Sequence, residues 1–216
     1  IGLQAIPQRP ELMLRHTADL MIEAALSAST VVCGCGGGAW VEEVLPPVLR
    51  WAARLVLDAD GLNAVAADPS LRRALQRRHS LGLPTVLTPH PLEAARLLGI
   101  GAANVQSDRI QRACDLADLF ACTVVLKGSG TVIASPGQIP SINPTGNARL
   151  GSAGTGDVLA GWLGGVWAQR PSDNGRSAAA ATVWRHGRAA DNVRFDGPLL
   201  AAELIDAMPG SLVSVD

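Results

Sequence analysis

Short apolar runs alternate with helical stretches along most of this chain, and that alternation limits the folds it can adopt. Four runs rich in Val and Leu predict buried strands: Thr30–Cys33, Arg54–Leu57, residues 84–87 and Thr123–Leu126. The stretches around them have helical patterns: residues 11–28, 41–53, 69–78, 94–98 and 107–120. Strands alternating with helices predict an α/β fold: a doubly wound, mostly parallel sheet with helices on both faces, in three α/β/α layers.

Each predicted strand ends in glycines or polar side chains. The first runs into GCGGG at 34–38, and the second into DADGLN at 58–63. The carboxyl ends of parallel strands share one sheet edge, where open α/β sheets bind ligands. Two structural alternatives stay open at this stage. The glycines could form only a tight turn, and Asp58 could simply cap a helix, since Asp and Asn are favoured at helix starts.

The third and fourth strands also end in residues typical of a site. His90 is the one histidine at a predicted strand end, and the prolines on either side of it fix the backbone and aim its side chain. His16, His79 and His186 lie in helical or polar surroundings and are interpreted as structural. The fourth strand closes on KGSGT at 127–131, whose lysine, glycines and hydroxyls suit a nucleotide phosphate or ribose.

The remaining elements are predicted from local composition. The arginines of the basic helix 69–78 predict a solvated face: Arg72, Arg73, Arg77 and Arg78. Ser107 is the predicted N-cap of helix 107–120. Val132–Ala134 and residues 139–142 predict a hairpin that turns near residues 136–137. Further helices are predicted at 158–168, 175–192 and 198–208.

The hairpin leads into a glycine-rich stretch, residues 143–161, in which Asp157 follows Gly154-Thr155-Gly156 and precedes an apolar run. Small residues leading into a helix N-terminus make an anion site, because the first backbone N–H groups have no partner within the helix. An acid beside a bound phosphate is suited to take a proton from an attacking hydroxyl. The alternative is an ordinary acidic N-cap.

Composition excludes several classes of protein. With 216 residues, 48% hydrophobic and 17% charged, the chain predicts one folded domain. A net charge of −1 without a basic block argues against nucleic acid, and no apolar run is long enough for a membrane span. The four cysteines lack zinc spacing and predict free thiols in a reducing cytoplasm. The start at Ile1, without a secretory leader, predicts a fragment or a processed chain.

Taken in order, these motifs resemble the ADP/ATP-dependent NAD(P)H-hydrate dehydratases, a branch of the ribokinase-like superfamily. The GTGD at 154–157 is typical of the superfamily, and the TPHPLE at 88–93 with DADGLN at 58–63 resembles this branch. The resemblance covers nearly the whole chain. It implies that hydrated NADH or NADPH is the substrate, that ADP or ATP is consumed, and that Mg²⁺ is required.

The resemblance also implies roles for individual residues. The implied catalytic residues are Asp157, Gly154, Thr155 and Gly156. The implied nucleotide-binding residues are Lys127, Gly128, Ser129, Gly130, Thr131, Asn147 and Gly156. The implied substrate-binding residues are Gly36, Gly38, Asp58, Asn63, His90 and Asp157. Glu93 is the implied metal ligand.

The resemblance also sets expectations about the rest of the protein. The family's domain normally begins earlier, with a strand and a helix that are not in this sequence, so residues 1–216 predict a single domain without that segment. A fused N-terminal NAD(P)H-hydrate epimerase domain is expected in bacterial members. Apolar helices and a mean hydropathy of +0.22 predict a homo-oligomer. The alternatives are a related kinase for a vitamin-precursor alcohol and a non-catalytic nucleotide-binding module.

Overall fold

The computed structural model describes residues 6, 12–193 and 197–209. The strands follow one another across a six-stranded sheet: β1 (Thr30–Cys33), β2 (Arg54–Leu57), β3 (Thr85–Leu87), β4 (Thr123–Leu126), β5 (Val132–Ala134) and β6 (Ser141–Ile142). Strands β1 to β4 run parallel, whereas β5 and β6 each pair antiparallel with the preceding strand. The four predicted parallel strands and the hairpin are confirmed.

Helices account for most of the remaining residues. Those before β4 are α1 (Thr17–Leu20), α2 (Glu23–Leu26), α3 (Trp40–Trp51), α4 (Ala59–Ala67), α5 (Pro69–Ser80), α6 (Pro91–Leu98), α7 (Ala102–Ser107) and α8 (Arg109–Phe120). After β6 come a short 3₁₀ helix (Ala148–Gly151), α9 (Thr155–Gln169), α10 (Arg176–Asn192) and α11 (Ala201–Ala207).

The two faces of the sheet bury different helices. Successive side chains of a strand point to opposite faces, so Leu55 and Leu57 pack with α3 to α8, while Val56 packs with α9 and α10. The three layers and the α/β class are therefore confirmed. Among the described residues, each strand is added beside the preceding one, and the direction in which strands are added to the sheet never reverses. The second face is covered by the C-terminal helices α9 and α10.

The N-terminal helix prediction is wrong over the residues that the structure describes. Glu11 lies outside them, and within 12–28 only the single-turn helices α1 and α2 form. Leu12, Leu20 and Ile22 are 51%, 43% and 52% exposed, so they do not form an apolar face on the core. Leu26 alone is buried in these two helices, and a single anchor is too little to stabilise one long helix.

The predicted cap at Ser107 is also wrong. Residues 102–120 form two helices, and the cap of α8 is Asp108, whose Oδ1 accepts a hydrogen bond from the Gln111 backbone N–H at 3.1 Å. The Ser107 hydroxyl instead donates to the Asn104 carbonyl at 3.1 Å, within α7. A serine inside a helix has this local alternative to capping.

The solvated arginine face holds for Arg73 and Arg77. It is wrong for Arg72, which is half-buried and donates to the Leu97 carbonyl at 2.9 Å, and for Arg78, which is 1% exposed. Its guanidinium donates to the carbonyls of Leu49 at 2.9 Å and Ala52 at 2.8 Å, at the end of α3. A helix C-terminus carries partial negative charge and unpaired carbonyls, so a buried cation is stabilised there. Arg78 thus joins α5 to α3 within the core.

The parallel strands place their carboxyl ends at one sheet edge, which also receives the N-terminus of α9. Residues 34, 58, 88 and 127 each directly follow one of those strands. The predicted clusters are therefore neighbours in space. Within the described residues, no helix combines the length and the apolar character needed to cross a lipid bilayer.

Candidate active site

An ion pair lies at the centre of this edge. Lys127 Nζ is 2.6 Å from Asp58 Oδ1, although the two residues are 69 positions apart. Asp58 is 1% exposed, and a buried carboxylate needs such a partner. Asp58 stands at the N-cap position of α4, yet its side chain makes no capping hydrogen bond. Of the two alternatives, its carboxylate therefore serves the strand-end cluster rather than the helix start.

A second acid completes the cluster. Ligand atoms of Cys35, Asp58 and Asp157 lie within 4.8 Å of one another. Burial, and then the negative charges of Asp58 and Asp157, raise the pKa of the Cys35 thiol to about 12. The Cys35 Sγ lies 3.8 Å from Asp58 Oδ2, so the thiol is a neutral donor to the carboxylate. The negative charge of this corner is balanced mainly by Lys127.

Asp157 lies in the first turn of α9 and is exposed. The N-cap residue Gly154 has a left-handed backbone (φ 83°) and offers no capping side chain, so the first N–H groups of α9 keep no side-chain acceptor at that position. A Cβ on Gly156 would lie 3.3 Å from Lys127 Nζ, so the backbone passes close to the lysine. Free N–H groups of a helix start beside a cation are suited to hold an anion, and the anion site of the glycine stretch stays a prediction.

The loop before α9 is held by hydrogen bonds to its backbone. The buried Thr155 hydroxyl lies 2.6 Å from the Leu150 carbonyl and 2.8 Å from that of Ser152. The Thr155 carbonyl in turn lies 2.9 Å from Nε2 of His186 on α10. Thr155 therefore fixes the shape of the anion site, and its hydroxyl is already used by the protein.

A cavity of about 630 Å³ opens beside the ion pair. All the predicted nucleotide-binding residues line it: Lys127, Gly128, Ser129, Gly130, Thr131, Asn147 and Gly156. Asn147 also has a structural role, because its amide donates to the Ala190 carbonyl at 3.1 Å and its oxygen accepts from Arg149 N–H at 3.1 Å. This volume is in the range of ligand pockets in proteins.

The residues predicted to bind the substrate lie beside this cavity rather than in its wall. Gly36 and Gly38 have positive φ angles of 62° and 52°, and the Gly38 N–H donates to Asp60 Oδ2 at 2.8 Å. Asn63 uses its side-chain oxygen to accept from Arg96 at 2.7 Å. Gly36 and Gly38 follow β1 and Asn63 lies in α4, which follows β2, whereas Lys127 and the loop after it follow β4. Their substrate roles stay predictions.

His90 and Glu93 form a capping pair at the start of α6. The His90 Nδ1 accepts from the Leu92 and Glu93 N–H groups, and Glu93 Oε2 accepts from the His90 N–H at 2.8 Å. Glu93 Oε1 lies 3.2 Å from His90 Nε2. Both oxygens of the buried Glu93 are thus held by His90, and its assignment as a metal ligand stays a prediction.

Sequence reasoning missed two residues of the site. Arg109, on α8, donates to the carbonyls of Leu126 and Lys127, both at 3.1 Å, and to that of Ser129. These bonds hold the backbone of the predicted nucleotide loop. His186 was interpreted as structural, yet it lines the cavity and binds the Thr155 carbonyl. Both side chains bind backbone carbonyls, which carry no signal in a sequence.

Comparison with known proteins identifies the family. The model of the NAD(P)H-hydrate dehydratase family matches residues 4–209. The chain is 39% identical over 204 residues to the ADP-dependent (S)-NAD(P)H-hydrate dehydratase of Neisseria meningitidis, over 92% of this chain and 67% of that protein. It is 41% identical over 203 residues to the bifunctional NAD(P)H-hydrate repair enzyme of Coxiella burnetii, but spans only 39% of that longer protein's length.

Solved structures agree with this result. The ADP/ATP-dependent NAD(P)H-hydrate dehydratase of Bacillus subtilis, co-crystallised with ATP and Mg²⁺, superposes with a TM-score of 0.66 at 32% identity, over 79% of this chain and 58% of that one. A ribokinase-like superfamily protein of Enterococcus faecalis gives a TM-score of 0.62 at 26% identity, over 80% of this chain and 57% of that one. The chain therefore belongs to the NAD(P)H-hydrate dehydratase family and has the ribokinase-like fold.

Proposed function

We propose that this chain dehydrates hydrated NADH or NADPH back to the reduced cofactor at the expense of ADP or ATP. The observation that carries the proposal is the position of Asp157, exposed in the first turn of α9, next to Gly156 and the Lys127–Asp58 pair at the edge of the cavity. The Neisseria relative is named as ADP-dependent. The Bacillus subtilis relative is named as ADP/ATP-dependent.

The arrangement supports a phosphoryl transfer followed by an elimination. The nucleotide lies in the cavity, with its terminal phosphate at Lys127 and at the N–H groups of Gly154 and Gly156, which stabilise the charge of the transferring group. Asp157 takes the proton of the ring hydroxyl, whose oxygen attacks that phosphorus while the bond to the nucleotide breaks. A proton then passes from the neighbouring ring carbon to the departing phosphate as the C–O bond breaks, which forms the double bond and releases phosphate.

Mg²⁺ fits the acidic side of the cluster. The exposed carboxylate of Asp157 offers a hard oxygen ligand, and Mg²⁺ is commonly held by one or two carboxylates together with substrate phosphates. The protonated Cys35 thiol beside that carboxylate is a poor ligand for this ion. When bound, Mg²⁺ would neutralise phosphate charge. Asp157 would hold it together with the phosphates of the nucleotide. Both oxygens of the buried Asp58 are already engaged, one by Lys127 and one by the Cys35 thiol. The Glu93 assignment stays a prediction.

Other expectations also become proposals. The four cysteines are free thiols, which supports the predicted reducing cytoplasm. Trp40 and Ile139 are 66% and 88% exposed, which supports a homo-oligomer that covers them. The Coxiella relative is bifunctional, which supports an epimerase domain in the same polypeptide. Residues 1–216 would then be one domain of a longer enzyme.

The test is recovery of reduced-nicotinamide absorbance from hydrated NADH in the presence of Mg²⁺ and either ADP or ATP. We expect Asp157→Asn to lower the rate by at least about 100-fold, because it removes the proton acceptor, while calorimetry still shows ADP binding. Asp118→Asn, an exposed acid on α8, is the matched control and should keep full activity.

Three outcomes would contradict the proposal. Full activity of Asp157→Asn would show that Asp157 is not the base. Phosphorylation of a vitamin-precursor alcohol, with no turnover of the hydrate, would indicate the related kinase. Tight ADP binding without any turnover would indicate a nucleotide-binding module.

A further inference from the structure

His186 has a buried ring with only one of its two nitrogens engaged. The residue is 7% exposed and lines the cavity. Its Nε2 lies 2.9 Å from the Thr155 carbonyl oxygen. Its Nδ1 makes no hydrogen bond within the described part of the chain. That nitrogen is nevertheless not fully buried. The free nitrogen therefore keeps some solvent exposure, on a ring that lines the cavity.

The hydrogen bond to Thr155 determines which nitrogen carries the proton. A backbone carbonyl can only accept, so Nε2 must be the donor. Burial, opposed by the bond to Thr155, lowers the pKa of His186, and the positive charge of Lys127 acts in the same direction as burial. No carboxylate contacts the ring among the residues described. The neutral ring thus presents a lone pair on Nδ1, which needs a donor from whatever occupies the cavity.

The position of the ring is fixed by close packing of α10. A Cβ on the neighbouring Gly187 would lie 2.2 Å from the Thr145 hydroxyl oxygen, and that hydroxyl donates to the Trp184 carbonyl at 2.9 Å. Loop 143–147 and α10 are therefore in direct contact. This contact holds the backbone of α10 beside His186, and the bond from Nε2 to the Thr155 carbonyl orients the ring, so the acceptor is preorganised.

The chemistry of a nucleotide limits which of its groups can meet Nδ1. Phosphate oxygens are acceptors and would repel the lone pair, whereas the ribose hydroxyls and the adenine amino group are donors. Thr155 directly precedes Gly156, which lies against Lys127 at the phosphate end of the cavity. The group that follows the phosphates along a nucleotide is the ribose, so its hydroxyls are the first donors beyond the phosphate end.

We propose that Nδ1 of His186 accepts a hydrogen bond from a ribose hydroxyl of the bound nucleotide and makes the site selective for ribonucleotides over deoxynucleotides. This inference rests on the proposed nucleotide-dependent function. It gives His186 two roles: one nitrogen positions the loop of the anion site, and the other recognises the sugar.

Calorimetric titration of the full chain with ADP, 2′-deoxy-ADP and 3′-deoxy-ADP tests the proposal. We expect the native chain to bind one of the two deoxynucleotides about three- to tenfold more weakly than ADP, the range for one neutral hydrogen bond. His186→Gln keeps a donor near Thr155 but loses the Nδ1 acceptor, so it should bind ADP as weakly as the native chain binds that deoxynucleotide. His186→Asn places an amide near the Nδ1 position and should restore part of the preference.

The remaining outcomes overturn the inference. If His186→Gln weakens all three nucleotides by the same factor, its role is structural only. If the native chain distinguishes ADP from inosine diphosphate through His186 but not ADP from either deoxynucleotide, the partner is the adenine and not the sugar. If ADP binds without any preference for ribose, the inference fails while the proposed function stands. If no nucleotide binds to the native chain, both fail.

Discussion

At the scale of single residues, the chemistry of this site depends on side chains whose charge is set by their neighbours. Asp58 and Lys127 were each predicted from a strand end, and their contact at 2.6 Å follows from the shared edge of parallel strands. Arg109 and His186 could not be predicted in this way, because their partners are carbonyls of Leu126, Lys127, Ser129 and Thr155. A sequence shows which side chains exist but not which carbonyls they meet.

Cys35 provides a prediction at this scale. Burial and the charges of Asp58 and Asp157 raise its pKa to about 12, so only about one thiol in ten thousand is a thiolate at pH 8. Burial and nearby acids also raise the pKa of Cys114, but among the described residues that thiol makes no bond to a carboxylate like the one from Cys35 to Asp58. We therefore expect iodoacetamide to modify Cys114 well before Cys35, as measured by peptide mass spectrometry. Asp58→Asn removes a nearby negative charge and should accelerate alkylation of Cys35. Equal rates at Cys35 and Cys114 in the native chain would refute this account.

At the scale of elements, apolar runs with β-branched residues fixed the strands well, since burial on both faces leaves few other structures possible. Helix boundaries were less predictable where two polar residues compete for a cap. Asp108 rather than Ser107 begins α8, because the Ser107 hydroxyl bonds within its own helix. The arginines of α5 were all predicted to be solvated, but Arg78 is buried against the end of α3. Periodicity alone does not show which arginine contacts the end of another helix.

Arg78 provides the prediction for this scale. Burial lowers its pKa to about 10, so it stays charged at neutral pH while its guanidinium binds the carbonyls at the end of α3. Arg78→Met would leave those buried carbonyls unpaired and should lower the free energy of unfolding by about 3 kcal/mol or more, measured by urea denaturation. The exposed Arg77→Met is the matched control and should change it by less than about 0.5 kcal/mol. Equal effects would contradict the capping role.

At the scale of the whole molecule, the site is assembled from distant parts of the chain. Residues 35, 58 and 127 come from one set of strand ends, whereas residues 157 and 186 come from the helices on the other face of the sheet. Nucleotide binding would therefore join the sheet to α9 and α10. Loss of either layer would remove the site, so stability and binding should be linked.

His186 makes that link depend on pH. In the folded chain, burial lowers the pKa of His186 below its ordinary value of 6.5. The unfolded chain therefore binds a proton at this histidine more readily than the folded chain does. Above pH 6.5 the histidine is neutral in both states and does not change the free energy of unfolding. As pH falls from 6.5 towards the lowered pKa of the folded chain, the free energy of unfolding decreases. Between pH 7.5 and 5.5 the native chain should lose up to about 1.4 kcal/mol more unfolding free energy than His186→Gln, measured by urea denaturation at both pH values. Parallel losses in the two proteins would show that His186 is not buried in its neutral form.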